Sequence, residues 1–573
     1  MDNLSKYIAV VVFVAIAVGI GIWSRHRTKN VNEYFLGGRD LGPWLSSFAY
    51  GTTYFSAVAF IGFGGKVGWK FGISAMWIAV GNAIIGSLLA WLMLARRTRR
   101  MTTRLDAMTM PELFCERYKS KPMKGVSALI IFVFLVPYSA SVYMGLTYLF
   151  KEAFGVEYLT ALLFMSGVTA IYLVLGGYLA VARNDVVQGV VMILGSIAMV
   201  IALLRENVVG GLGNVDTNLH AVWVKTVAGA QAAGKPAPPT DFSSWFPPLK
   251  METLSWDSFI ASPLVALVAL VLMTSLGVWG LPQMVHKFYA IKDERVIMPA
   301  MIMTTVFAFI ISGAAFFAGS LVRLFITKDV LASLPNAGIK GTGAAAEVNY
   351  DLLVPKMLVD ALPEALLVLI MLLILSASIS TLSSLVLVSA SVVTVDFTKG
   401  IVKPNISARD EVMLMRLFVC IFIIVSVILA QLKVGSIVTL MSISWGAVAG
   451  AFIGPYVWSL YMKRVNQAAA WVGMLGGLGI CLGLNLGYII KYDTATNGKY
   501  ATLWAVLAMF GSLILVPLVS LLTKPMSDEH LERCYGDHDA VKAQPTGPRP
   551  APPTCGPADA GLRAIRRGII MGS

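Results

Sequence analysis

Runs of about 20 apolar residues recur along the chain between short polar segments, the length a helix needs to cross the hydrocarbon core of a bilayer. About 13 such spans are predicted, near 7–23, 43–68, 73–95, 124–150, 157–180, 185–204, 257–281, 295–323, 364–394, 411–432, 435–461, 466–490 and 500–523. No cleavage site follows the first, and Arg25, Arg27 and Lys29 come directly after it, as expected of a start-transfer helix that stays in the membrane.

The polar segments set the orientation. The loop 96–124 carries Arg96, Arg97, Arg99, Arg100, Arg104, Arg117, Lys119, Lys121 and Lys124, and the basic loops near 24–42, 283–296, 398–410 and 462–465 fall on the same side. The positive-inside rule makes that side cytoplasmic, with the N-terminus outside and the C-terminus inside a plasma (inner) membrane. Two long loops, 205–256 and 324–363, then lie outside. The tail from 526 is polar and Pro-rich over 543–558, and is expected to be disordered. The expected divisions are a leading helix and loop (1–42), two repeats (43–204 and 257–465) flanking the loop 205–256, two trailing helices (466–525) and the tail (526–573).

Composition agrees with this pattern. Of 573 residues 57% are hydrophobic and only 13% charged, whereas soluble domains carry about a quarter charged residues. The formal charge of +14 follows from the basic loops, so no nucleic acid partner is implied. Cys115, Cys420, Cys481, Cys534 and Cys555 imply no disulfide framework or metal spacing.

Two spans are punctuated mid-membrane: 43–68 by Gly51, Gly62, Gly64 and Gly65, and 257–281 by Gly277, Gly280 and Pro282 at its end. Broken spans five apart in order point to an inverted repeat with a binding site between its halves, although Gly and Pro are common in membrane helices generally. The span 364–394 places Ala377, Ser380, Thr381 and Ser384 on one helix face and is hydroxyl-rich throughout. Such a stripe serves either close packing, with hydroxyls bonded back to their own helix, or an alkali-cation site. Sodium is a hard ion that takes about five or six oxygens. Hydroxyls from one helix and carbonyls freed near Gly51–Phe55 would provide them without a buried anion.

Asp185 reads as an N-cap or partner of Arg183 at the cytoplasmic edge, or as an intramembrane ion ligand or proton acceptor. Asp396 is expected at the membrane boundary, and His286 and Lys287 as cytoplasmic anchors. Tyr54, Ser56, Tyr138, Tyr143, Trp279, Gln283 and Trp445, beside the breaks, are the substrate candidates, set against the usual packing and belt roles of aromatics.

Three segments carry a resemblance. Ala377-Ser378-Ile379-Ser380-Thr381-Leu382-Ser383-Ser384 followed by Val393–Lys399, the run from Gly176-Gly177-Tyr178 to Asp185-Val186-Val187-Gln188, and Tyr34-Phe35-Leu36-Gly37-Gly38-Arg39 resemble the sodium/solute symporter family. That family includes sodium/glucose, sodium/proline and sodium/pantothenate cotransporters, and the likeness runs in order over about 5–465. It implies an all-α polytopic fold of about 13 helices with a five-plus-five inverted-repeat (LeuT-like) core. It also implies a main sodium site at the carbonyls of Thr52, Phe55 and Ala377 and the hydroxyls of Ser380 and Thr381. Asp185, Ser383 and Ser384 match a second sodium site found in some members. The chain departs from the proline carriers at Tyr54, where they have an acidic residue, and carries Val278 where proline and sugar carriers have Tyr. It keeps Trp279-Gly280-Leu281-Pro282-Gln283, akin to the carboxylate and pantothenate branches.

The expected activity is sodium-coupled import of a small organic solute, a carboxylate or amino acid in preference to proline or a hexose, by alternating access. Sodium is the coupling ion, the bilayer the solvent, and no cofactor is called for. The sequence contains no GxSxG or HExxH, so an enzyme is not expected. The alternatives are a proton-coupled symporter of the same fold, with Asp185 as its titrating carboxylate, and a transporter-like membrane sensor.

Overall fold

The computed structural model describes residues 3–25, 39–175, 178–234, 236–249, 256–326, 349–403, 405–492 and 494–536. Among them there are helices and connecting turns but no strand. Nine helices are long and apolar enough to cross a membrane, or ten if one bent pair is a single span, and Lys6–Ile20 and Tyr158–Ile171 are shorter apolar helices. Most buried apolar side chains merge into one large core, with two small clusters apart from it, while Leu, Ile, Val and Phe side chains stand exposed along the outer helices, as expected where lipid is the solvent.

Both predicted interruptions are present. The helix Pro43–Tyr54 opens with proline in its first turn, where a missing N–H is harmless, and ends at Phe55, whose φ of -109° and ψ of 131° are extended. Phe55 and Ser56 are non-helical, and the chain rewinds through Val58–Phe63 into Gly64–Phe71. The glycines do not make this break. Gly51 is helical, and a Cβ there would lie 2.6 Å from the Phe307 ring. Gly68 meets the backbone of Gly319, so its partner helix Ile297–Phe325 can approach closely. The second interruption follows the sequence more directly. Pro263–Leu276 tightens into a 3-10 turn at Gly277–Trp279, Gly280 and Leu281 leave the helix, and Pro282–Tyr289 departs at 41°.

The serine-rich helix Glu364–Ser391 continues as a wide turn over Val392–Val402. It packs against the first broken helix and against Tyr178–Arg205. Predicted loops gather as the span order requires. At one end Leu41 pairs with Ile291, Arg39 donates to the Ala107 carbonyl at 2.9 Å, and Arg99 donates to the Lys292 carbonyl at 3.0 Å. At the other end the Phe242 carbonyl accepts from Ile73, and Asp351 accepts from the Ile437 N–H at 3.1 Å. At that same end the chain reverses at Gly72, whose φ of 59° and contact with Phe242 admit no side chain.

Predicted loops and the start of the tail carry helices, among them Leu353–Ala361 in the loop 324–363. The loop 205–256 contains the helix Val215–Ala232. The tail begins with the helix Asp528–Tyr535 instead of disorder. Arg117 donates to the Tyr535 hydroxyl at 3.0 Å, and His530 Nε2 lies 2.9 Å from the Arg117 carbonyl, so the helix is pinned by contacts more than 400 residues away in sequence. Residues 537–573 and 327–348 lie outside the described residues, as do 34–38 and Gly176-Gly177 of the quoted motifs.

Candidate functional site

The unwound stretch at Phe55 and Ser56 faces the serine-rich helix. Thr381 Oγ1 lies 3.0 Å from the Ala377 carbonyl, 3.1 Å from that of Thr53, 3.3 Å from that of Phe55 and 3.5 Å from that of Thr52. A threonine hydroxyl has one proton to give. Four carbonyls converge on it, and that one proton cannot serve all of them fully. Ser380 Oγ adds a fifth direction, 2.8 Å from Thr52 Oγ1. Oxygens that share a cation at about 2.4 Å lie roughly 3.4 Å from one another, so the spacing and chemistry suit a hard monovalent ion.

All five residues expected at the main site, Thr52, Phe55, Ala377, Ser380 and Thr381, are brought together and buried. The Thr53 carbonyl joins them, which the sequence reading missed. No local signal could show it, because which carbonyls turn inward depends on where the helix unwinds. The break is itself held from outside: Ser378 Oγ accepts the Ala57 N–H at 3.2 Å, supplying one of the bonds the unwound turn lacks. Other hydroxyls of the stripe serve the blander purpose. Ser378, Ser383 and Ser391 donate back to the Ile374, Ile379 and Val388 carbonyls.

Asp185 is neither a cap nor an edge residue. It lies inside Tyr178–Arg205, fully buried, and its Oδ1 accepts from Ser380 at 2.6 Å. A carboxylate thus stands directly behind a main-site hydroxyl, and the expectation of a cage without a buried anion is corrected. Lys287 is also corrected. It is 1% exposed, and its Nζ donates to Ser384 Oγ at 3.0 Å, so it is no cytoplasmic anchor; His286 is buried too. Both belong to the helix after the second break, which runs inward against the serine-rich helix. Ser384 Oγ lies 2.9 Å from Thr53 Oγ1, linking the second-site positions to the first broken helix. Asp396, expected at a boundary, is fully buried with Oδ1 3.3 Å from Lys124 Nζ.

Beside this oxygen cluster a cavity of about 20 Å³ is lined by Tyr54, Phe55, Ser56, Asn82, Tyr138, Thr274, Phe316 and Trp445, among others. That is room for about one water, so a solute requires these walls to part. Tyr138 and Trp445 meet edge to face at 5.6 Å. Tyr54 donates to the Thr274 carbonyl at 2.7 Å and approaches Asn82 Oδ1 at 3.1 Å. Trp445 Nε1 is buried with no acceptor. Of the substrate candidates, Tyr54, Ser56, Tyr138 and Trp445 line this cavity. Trp279 does not, its Nε1 donating to the Ile85 carbonyl, and neither does Gln283, buried with an unpaired Oε1. Asn82 and Thr274 were not expected there. A second cavity of about 70 Å³ is lined by Lys66, Lys70 and Lys499 and by apolar residues of the first broken helix and its neighbours.

A helical bundle with two interrupted spans, and an oxygen cluster where one of them unwinds, has the architecture of a membrane carrier. A sodium-coupled sialic acid symporter, solved substrate-bound and outward-open, shares the fold with a TM-score of 0.67 over 91% of this chain and 98% of its own, at 17% identity. The chain belongs to the sodium:solute symporter family, whose profile matches residues 34–477. It is 31% identical over 470 residues to a sodium/proline symporter of Haemophilus influenzae, covering 80% of this chain and 84% of that one. It is 29% identical to the osmoregulated proline transporter OpuE of Bacillus subtilis, covering 81% and 85%. The protein is a multi-pass membrane transporter and not an enzyme.

Proposed function

We propose that the chain imports a small carboxylate or amino acid together with sodium, by alternating access. The observation that carries this reading is the convergence of four carbonyls on Thr381 beside the Ser380 hydroxyl, a set of oxygens that a mobile monovalent cation would bind. Sodium there would tie the unwound turn of the first broken helix to the serine-rich helix and fix the wall of the neighbouring cavity. Solute and ion then tighten each other's binding by the same factor. Each positive charge moving inward gains roughly 2.3 kcal/mol per 100 mV, sufficient for about a 50-fold solute gradient.

Three features favour a solute with a carboxylate. Lys66, Lys70 and Lys499 line the larger cavity, on the side proposed to be extracellular. No acidic side chain lines either cavity among the described residues. The buried Trp445 N–H offers a donor in need of an acceptor. Proline, named for the two bacterial relatives, falls within this class and is the first compound to test.

The test is uptake into proteoliposomes of labelled proline, alanine and short monocarboxylates under an inward sodium gradient. Accumulation that disappears when choline replaces sodium supports the proposal. The burial of Asp185 favours one rival, proton coupling. Uptake that persists in choline but is lost in Asp185→Asn would select it.

A further inference from the structure

The main cation site is not the only place where the serine-rich helix presents oxygens. One turn further along, the Ser384 hydroxyl already meets a cationic side chain. Lys287 arrives from the second broken helix, buried, with its Nζ 3.0 Å from Ser384 Oγ. Ser380 and Ser384 lie one helical turn apart on the same face, so their partners Asp185 and Lys287 are neighbours across that turn. The same carboxylate accepts from Ser380 at 2.6 Å, so it also touches the main site.

We infer that Lys287 takes the place of a second sodium: its ammonium fills the cation position beside Ser384 and Asp185, so the carrier binds one sodium ion per cycle. This deepens the proposed function and rests on its assignment of sodium to the main site. The physical reason is charge balance. One sodium and one ammonium already flank a single carboxylate. A further sodium at Ser384 would meet the ammonium at hydrogen-bond range in a medium that screens poorly. Both cations would compete for the same hydroxyl oxygen. The tether also has a mechanical consequence. Lys287 rides on the second broken helix and Thr52–Phe55 on the first, so Asp185 and Ser384 couple the two moving halves whether or not sodium is bound.

The experiment counts radioactive sodium bound per polypeptide on purified protein, with sodium as the only probe. One ion per chain with a Hill coefficient of 1 is expected for the wild type. Lys287→Gln and Lys287→Ala vacate the position while leaving Asp185 charged, and are expected to bind two ions. The double variant Lys287→Gln/Asp185→Asn is expected to return to one. Two ions in the wild type overturn the inference, as does a single ion in both lysine variants when main-site affinity shows them to be folded. Should either variant misfold, the wild-type count still decides. No sodium binding in the wild type would overturn the coupling ion itself and the inference with it, a result distinct from a count of two.

Discussion

One continuous helical run, Glu364–Val402, carries two polar regions built on opposite principles. Around Thr381 four carbonyl oxygens gather about a single hydroxyl proton. Around Asp396 it supplies the cation itself: Lys124 Nζ lies 3.3 Å from Asp396 Oδ1 and 3.5 Å from Glu112 Oε1. Thr109 donates to the same Asp396 oxygen at 2.9 Å, and the Met108 N–H to Glu112 Oε2. A site short of donors invites an ion that comes and goes. A site whose cation is covalently attached holds its neighbours together permanently. The first suits a coupling ion, and the second joins the end of the serine-rich helix to the short helix Met110–Tyr118 and the long helix Lys121–Phe154.

Removing the attached cation should have the largest effect. Lys124→Met leaves two buried carboxylates facing each other without their partner, a loss of about 3–5 kcal/mol by the behaviour of buried pairs broken on one side. Thermal unfolding in detergent should show a large drop that added sodium does not reverse. A drop reversed by sodium would mean that this region too is an ion site, and the contrast would vanish.

The opposite behaviour is expected at the first region. Thr381→Ala removes one oxygen from a set that the chain satisfies only partly. The half-saturating sodium concentration for uptake should rise about tenfold, on the order of 1.4 kcal/mol, while the sodium-free melting temperature stays close to that of the wild type. Equal loss of uptake at every sodium concentration, with half-saturation unchanged, would reduce Thr381 to a packing residue.

How much of this contrast is legible in the sequence follows from the range of the interactions. The spacing of Ala377, Ser380 and Thr381 on one helix face is local, and the sequence places them correctly. The break in the facing helix is partly legible: its neighbourhood is marked by glycines, yet it falls at Phe55 and Ser56, where bonds from Ser378 and Thr381 compensate the unwound turn. Those bonds span more than 300 residues and leave no local trace. Charged residues are the least legible. Lys287 and Asp396 sit at the ends of apolar runs and read as boundary residues, but each is drawn inward by a partner from another helix, Ser384 and Lys124 respectively. Asp185 is ambiguous in the sequence for the same reason: its partner Ser380 lies 195 residues away.

At the other end of the protein Asp351 offers a third arrangement, a buried carboxylate with neither an attached cation in salt-bridge range nor surplus oxygens to share, among the described residues. It accepts the Ile437 N–H at 3.1 Å at the start of the helix Ile437–Tyr461, and burial pushes its pKa up from the ordinary 3.8 to about 6, against the opposing pull of that N–H and of Lys66. With the folded value above the unfolded one, the folded state holds the extra proton between about pH 4 and 6. Stability contributed by this group is therefore full below the unfolded value, falls as the pH rises through that window, and is constant above it. Asp351→Asn keeps an acceptor for Ile437 and removes the titration, so it should flatten the melting temperature against pH between 4 and 6 with little change elsewhere. A slope that survives the substitution assigns the titration to another group. A slope of opposite sign in the wild type would mean that the N–H and Lys66 outweigh burial, placing Asp351 with the charge-stabilised region around Lys124.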